Sequence, residues 1–312
     1  MTVLGIDTSC YTTSAARVSL DGTILKSSRR LLDVEAGARG LQQSAGLFQH
    51  VQRLPEMIEK VCSQEPIVAI AASTRPRPAE DSYMPVFRAG ESLARSAALL
   101  LGVPFYAVSH QEGHVRAALV DSGIDRAFPM LAFHLSGGTT ELLHVENGVI
   151  QLLAGTMDLH AGQLVDRIGV LLGLPFPAGP ELERLAVTRE PRGMLPVCIR
   201  DGNCSISGVA TQLERLIREE KIEPAQAAVE VYDFLVRTVE RMMIAGMEKT
   251  GTRQVLLAGG VASSALFRRQ LLERLERHRV QCRTCFARPE LSGDNAVGVA
   301  LLGVERYKGE TT

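Results

Sequence analysis

The stretch Ser109-His-Gln-Glu-Gly-His-Val115 sets two imidazoles four residues apart with a carboxylate between them. The apolar run Phe105–Val108 before it reads as a strand. Ser109 and Glu112 have the spacing of a capping box, which predicts a helix opening at residue 110. On that helix His110 and His114 lie on one face about 6 Å apart, a spacing suited to two nitrogen ligands of one metal ion. Zinc peptidases carry glutamate directly after the first histidine. Here Glu112 stands two residues on, about 200° around the helix, and cannot share a metal-bound water. A peptidase is therefore disfavoured, and Glu112 is assigned to the cap. The bland reading of the histidine pair is a solvated or packed helix start, so a third ligand must come from elsewhere.

Asp294-Asn295 follows the strand-like Cys282–Ala287 and is expected to open the last helix. An acid there is often only a cap. As a third ligand, Asp294 would complete two nitrogens and one oxygen with open positions, a set that suits zinc, iron or manganese. Ser136-Gly137-Gly138-Thr139-Thr140 joins two strand-like runs, and its small residues let backbone N–H groups approach a phosphate. Ala258-Gly259-Gly260-Val261 lies between a strand and a helix, where a phosphate can sit on the helix N-terminus. Either loop could equally be an ordinary tight turn. Cys282 and Cys285 form a C-x-x-C without a second pair, and residues three apart on a strand face opposite sides, which disfavours metal or redox chemistry. Arginines at 268, 269, 274, 277, 279, 283 and 288 are diluted by Glu273 and Glu276 and read as a solvated face.

The elements that must position these residues alternate between strand and helix. A three-stranded meander is expected over 2–28, a helix near 45–63, a strand at 67–72, a helix at 89–101 and a strand at 105–108. The pattern then restarts at Met130–Leu135. Both halves carry a strand, a Thr-Thr loop (Thr12-Thr13, Thr139-Thr140), a second strand and a Gly turn (Gly22, Gly148). Helices follow near 160–173, 178–187, 209–219 and 224–249, then a strand at 254–258, a helix at 262–277 and a closing helix at 294–307. This duplication implies two α/β lobes around a cleft, with ligands at strand carboxyl ends. The expected lobes are 1–126 with 295–312, and 127–294.

Composition narrows the function classes. The 312 residues are 46% hydrophobic and 22% charged, as in ordinary globular proteins. The net charge of −1 gives nucleic-acid binding no bulk support, and 4% aromatics without Trp disfavour a base-stacking platform. The opening MTVLGIDTSC reads as strand rather than leader, no apolar run is long enough for a membrane span, and six scattered cysteines suit a reducing compartment. A cytoplasmic location is expected.

Taken in order, LGIDTSC (4–10), SHQEGH (109–114), LSGGTTEL (135–142), DLHAGQLVDRIGVLLGLPFPAGP (158–180), CSISGV (204–209), LLAGGV (256–261) and GDNAVGVALLG (293–303) resemble the TsaD family of tRNA threonylcarbamoyl transferases, historically labelled glycoproteases. The resemblance implies a two-lobed α/β fold of the actin, sugar-kinase and heat-shock-ATPase kind, with duplicated ribonuclease-H-like lobes. It also implies that His110, His114 and Asp294 hold one divalent metal (iron, zinc or manganese). ATP, ADP or an acyl-adenylate is then held by Ser136, Gly137, Gly138, Gly162, Asp166, Pro180, Gly259 and Gly260. The implied chemistry is acyl transfer from a carbamoyl-adenylate to an adenine amine of tRNA. The implied partners are an adenine nucleotide and a protein partner or second copy, with tRNA as acceptor. The chain departs from the family at Tyr11 and Thr12, where the family carries two acids, one of which is thought to assist catalysis. Thr139, Ser264 and the RPRPAEDSYMPV loop depart as well. Two readings follow: a metal-dependent threonylcarbamoyl or carbamoyl transferase with altered or lost activity, or a non-catalytic nucleotide-binding subunit or regulator.

Overall fold

The computed structural model describes residues 1–34 and 41–311. The chain forms two compact units, Met1–Val120 with Asp294–Thr312, and Asp121–Gly293.

In the first unit, strands β1 (Thr2–Thr8), β2 (Thr12–Ser19) and β3 (Ile24–Leu31) form the expected antiparallel meander. Helix α1 (Gln43–Val61), β4 (Ile67–Arg75), α2 (Phe87–Leu101), β5 (Phe105–Ser109) and α3 (His110–Ala118) follow, and the unit is completed by α9 (Val297–Thr311). The sheet runs β3-β2-β1-β4-β5, with β4 parallel to β1 and β5 parallel to β4. Every residue of β1 is buried, as for a central strand covered on both faces. Leu54, Met57 and Val61 of α1 and Ala94 and Ala98 of α2 close over Leu4, Ile6 and Ile70. Helix α9 packs against the sheet and against α3. A Cβ on Gly298 would fall 1.8 Å from the carbonyl oxygen of Gly113, so only glycine there lets the backbone of α9 lie against α3.

The second unit contains β6 (Met130–Leu135), β7 (Thr140–Glu146), β8 (Val149–Gly155), α4 (Ala161–Leu171), α5 (Gly179–Ala186), β9 (Cys198–Arg200), β10 (Asn203–Ser205), α6 (Ser207–Arg218), α7 (Pro224–Thr250), β11 (Gln254–Ala258), α8 (Ala265–Arg277) and β12 (Arg283–Phe286). Its sheet runs β8-β7-β6-β11-β12, a three-stranded meander extended by two parallel strands, the same order as in the first unit. The duplication read from the sequence is thus present in the topology. Its core centres on α7, whose Phe234, Leu235, Met242 and Met243 are buried with Leu131 and Phe133 of β6. Among the described residues no helix is long and apolar enough to cross a membrane.

Three local features differ from the expected pattern. The closing helix starts at Val297 rather than Asp294, because the Asn295 side chain accepts from the Val297 N–H at 3.0 Å and takes the capping role. Helix α8 starts at Ala265, with Ser264 accepting from Phe267 N–H at 3.1 Å. The β9–β10 ribbon has no counterpart in that pattern, although Asp201-Gly202 is a hairpin dipeptide and both residues adopt positive φ, 50° and 82°.

Candidate functional site

The capping box is formed: Ser109 N–H donates to Glu112 Oε2 at 2.6 Å, and Glu112 N–H donates to Ser109 Oγ at 3.2 Å. It fixes the first turn of α3 and with it the histidine pair. His110 Nε2 and His114 Nε2 are 3.0 Å apart. Asp294 Oδ1 lies 3.2 Å from His114 Nε2 and 3.7 Å from His110 Nε2. One ligand atom from each residue falls within 4.8 Å of the other two. Two donors at bonding distance from one tetrahedral ion stand roughly 3.3 Å apart, so the donor set fits a single divalent ion. It is the only such cluster of histidine, cysteine and acidic side chains among the described residues.

Behind the triad lies Asp7, fully buried at the end of β1. Both of its carboxylate oxygens are 3.0 Å from His110 Nδ1, and Ser73 Oγ donates to Oδ1. An ionised carboxylate only accepts, so Nδ1 carries the proton and Nε2 faces Asp294 and His114. Burial disfavours the His110 cation, but the charge and hydrogen bond of Asp7, and then the charge of Asp294, outweigh it and push the imidazole up to about 9. Burial likewise works against the Asp294 carboxylate. The His114 hydrogen bond, the charges of His110 and His114, and the Ser9 hydroxyl nevertheless hold it well below the usual carboxylate range. The site therefore favours positive charge between two carboxylates.

The β1–β2 turn holds Asp294 from the other side. Ser9 Oγ donates to Asp294 Oδ2. The buried His50 fixes Ser9: its Nε2 lies 2.8 Å from Ser9 O and its Nδ1 lies 2.8 Å from Thr13 Oγ1. Burial pushes the Cys10 thiol up, and the converging ligand atoms are those of His110, His114 and Asp294. Tyr11 is exposed at the turn and Thr12 is buried with its N–H on Ser9 Oγ at 3.0 Å. Neither supplies a carboxylate.

In the second unit the two glycine loops leave the carboxyl ends of neighbouring parallel strands, β6 and β11. Val261 N–H donates to Leu135 O at 3.1 Å, which ties Gly259-Gly260 to the strand that precedes Ser136. Ser136 Oγ accepts from Thr139 N–H at 3.1 Å and leaves Gly137 and Gly138 with open space where side chains would be. Gly162, in the first turn of α4, donates its N–H to Ser136 O at 3.0 Å. A Cβ there would fall 2.5 Å from Gly137 N, so glycine lets the helix N-terminus abut the loop. Asp166, one turn on, accepts from Ala178 N–H at 2.8 Å, and burial pushes its carboxyl up. Pro180 stands in the first turn of α5, whose Gly179 carbonyl accepts from Tyr232 Oη at 3.1 Å. Ser136 to Gly138, Gly162, Gly259 and Gly260 are thus brought together, while Asp166 and Pro180 meet the start of α5.

Cys282 and Cys285 are free, half-buried thiols. Arg268 donates to Ala262 O and Ala287 O, Arg274 pairs with the buried Glu240, and Arg288 pairs with Asp121 and Glu290. With Arg269 near Glu273 at 3.9 Å, four of the seven arginines of the run are engaged within the unit, among the described residues. Sequence reasoning misses Asp7 and Ser9. The available signal is an acid at the carboxyl end of the first apolar strand, where α/β folds place ligands.

A family model described as tRNA N6-adenosine threonylcarbamoyltransferase, TsaD, matches residues 47–301. Curated tRNA N6-adenosine threonylcarbamoyltransferases from two strains of Thermus thermophilus are similar. One is 31% identical over 99% of this chain and 94% of its own length. The other is 31% identical over 98% of this chain and 92% of its own. Among solved structures, HypF from T. kodakarensis gives a TM-score of 0.64 at 15% identity over 99% of this chain and 48% of that one. The activator of 2-hydroxyisocaproyl-CoA dehydratase from Clostridium difficile, with bound ADPNP, gives 0.56 at 14% identity over 100% and 97%. A ROK family glucokinase from Streptomyces griseus, in complex with glucose and AMPPNP, gives 0.57 at 12% identity over 98% and 100%. These likenesses show an actin-like ATPase and sugar-kinase fold, and the sequence matches show that the chain belongs to the TsaD family of tRNA N6-adenosine threonylcarbamoyltransferases.

Proposed function

We propose that this chain is a metal- and adenine-nucleotide-binding transferase of the threonylcarbamoyl type, with tRNA as its acceptor class and a depressed rate of transfer. The observation that carries the reading is the linked set Asp7–His110–His114–Asp294. A buried carboxylate orients the proximal imidazole so that its other nitrogen points at a second imidazole and a second carboxylate. Partners of this kind fix tautomer and ring orientation at metal centres. A bound divalent ion would supply Lewis-acid polarisation of a carbonyl or phosphoryl oxygen. Asp7 holds the His110 proton at Nδ1, Ser9 orients Asp294, and the capping box holds both histidines on one face of α3.

The nucleotide reading rests on the open Ser136–Gly138 loop against the N-terminus of α4, where backbone N–H groups and the helix dipole favour phosphate. Structures of similar fold were solved with ADPNP and AMPPNP. A protein partner or second copy, and a cytoplasmic setting, belong to the same reading. The depressed rate follows from Tyr11 and Thr12. Neither side chain supplies the carboxylate of a positioned acid, and losing one positioned acid–base group lowers a rate by about 10²–10⁴-fold. The same feature favours a second reading, a nucleotide-binding subunit without transfer activity.

The test is a reconstituted assay with tRNA, threonine, bicarbonate, ATP and the family's partner proteins. The expected result is weak formation of threonylcarbamoyladenosine, raised by Tyr11→Asp with Thr12→Glu. Full activity of the natural sequence would contradict the depressed rate. Nucleotide and metal binding with no transfer in either protein would favour the second reading.

A further inference from the structure

Arg75 ends β4 beside the metal-ligand helix. Among the described residues its guanidinium makes no hydrogen bond or ion pair, and its Nε is enclosed without an acceptor. Other arginines of the same unit are engaged: Arg53 with Asp33, Arg88 and Arg95 with Glu91, Arg116 with Glu305. An enclosed donor without a partner is unfavourable, and a residue that bears this burden at the carboxyl end of a parallel strand stands where α/β folds place ligands.

Its position is fixed by the sheet and by the proline that follows it. After a register shift between Ser73 and Arg75, Arg75 pairs with Ser109, the N-cap of α3, so His110 is the next residue along its neighbour. Ser73, two residues earlier, donates to Asp7, which in turn holds His110. Pro76 O accepts from Gln111 N–H at 3.0 Å, keeping the chain after Arg75 on the first turn of α3. A residue before proline is confined to extended conformations, and Arg75 precedes Pro76. The backbone that carries the guanidinium thus has little freedom and runs beside the first turn of α3.

We propose that Arg75 is an anion-binding, specificity-determining residue of this site, and that its ligand is the carboxylate of the transferred acyl group. The inference rests on the reading given under Proposed function. A threonylcarbamoyl group carries one carboxylate, and the planar guanidinium fork matches a carboxylate with two parallel N–H···O bonds, giving orientation as well as charge. The N-terminus of α3 adds a favourable field for the same anion.

The experiment is calorimetry on the full chain, with and without added Mn²⁺, using N-carbamoyl-L-threonine, its neutral carboxamide and inorganic phosphate. The wild type is expected to bind the carboxylate at least about tenfold more tightly than the carboxamide, the scale of one charge-assisted contact. Arg75→Gln should erase that preference while leaving Mn²⁺ stoichiometry and the unfolding temperature unchanged or raised. Arg75→Lys should retain part of it. The proposal is overturned if the wild type shows no preference, if Arg75→Gln discriminates as the wild type does, or if both variants unfold at lower temperature, which would make the arginine structural. Phosphate binding that depends on Arg75, without carboxylate discrimination, overturns the carboxylate assignment and gives the seat to a phosphate. Failure of the metal reading is separately visible: no Mn²⁺ binding with the Arg75-dependent preference intact removes that reading and leaves this one.

Discussion

His110 Nδ1 lies 3.0 Å from each carboxylate oxygen of Asp7, which is itself fully buried. The two residues come from the end of a central strand and the start of a helix 103 positions later. Their contact decides which imidazole nitrogen faces His114 and Asp294. Replacing Asp7 with Asn keeps the volume and removes the charge. Metal affinity should fall by about 10–100-fold with the fold retained, as read by competition with a chelating dye. Unchanged affinity would show that His110 needs no partner to act as a ligand.

The close crossing of α3 and α9 is the second support of the site. The atoms within 2.8 Å of a Cβ on Gly298 all belong to the backbone of α3, namely Gly113 and Ala117. Gly298→Ala must therefore separate the helices, at about 1–3 kcal/mol, and should move Asp294 away from the histidines. Denaturant unfolding and metal titration of the variant should both weaken. A variant as stable as the wild type would mean that the crossing tolerates a methyl group.

Much of this arrangement is legible in the amino-acid order. Ser109, Glu112 and the i, i+4 histidines are local features, and local features survive folding because the helix carries them. The glycine loops are visible for the same reason. What escapes is long-range. Asp7 lies 103 residues from His110 and Ser9 lies 285 from Asp294, and nothing in either neighbourhood names its partner. Asp294 itself reads as a helix opening, a role that Asn295 takes instead. Arg75 carries no signature of being unpaired until its surroundings are known.

In the second unit, Gly162→Val should abolish adenine-nucleotide binding. The added side chain meets Gly137 N and Ser136 C, at 2.5 and 2.7 Å from its first carbon, and displaces the loop or the N-terminus of α4. A loss of at least about tenfold in affinity is expected by calorimetry, with metal content unchanged because the triad lies in the other unit. Equal loss of metal would show that the unit or the whole chain had unfolded.

His50 gives the fold a pH dependence of defined sign. Burial pushes it below its ordinary value of 6.5, and both ring nitrogens are already engaged as a neutral imidazole. Its folded pKa lies below its unfolded one, so its contribution is fully present above about pH 6.5 and is lost as pH falls through the lower, folded value. The difference in unfolding free energy between wild type and His50→Gln should shrink as pH falls from 7.5 to 5. Comparing the two proteins cancels the opposite trend from His110, whose raised value favours the folded state at low pH. A difference that does not change with pH would mean that His50 titrates alike in the folded and unfolded chain, so that its burial shifts nothing.

The central claim is that His110, His114 and Asp294 hold one ion. The most direct measurement is anomalous scattering from crystals grown with Mn²⁺ or Zn²⁺, paired with metal analysis of His114→Ser. The account expects one peak, at bonding distance from His110 Nε2, His114 Nε2 and an Asp294 oxygen, about 2.0–2.2 Å for zinc. It also expects the variant to fold without metal. A peak elsewhere, or none with all three side chains in place, would contradict it.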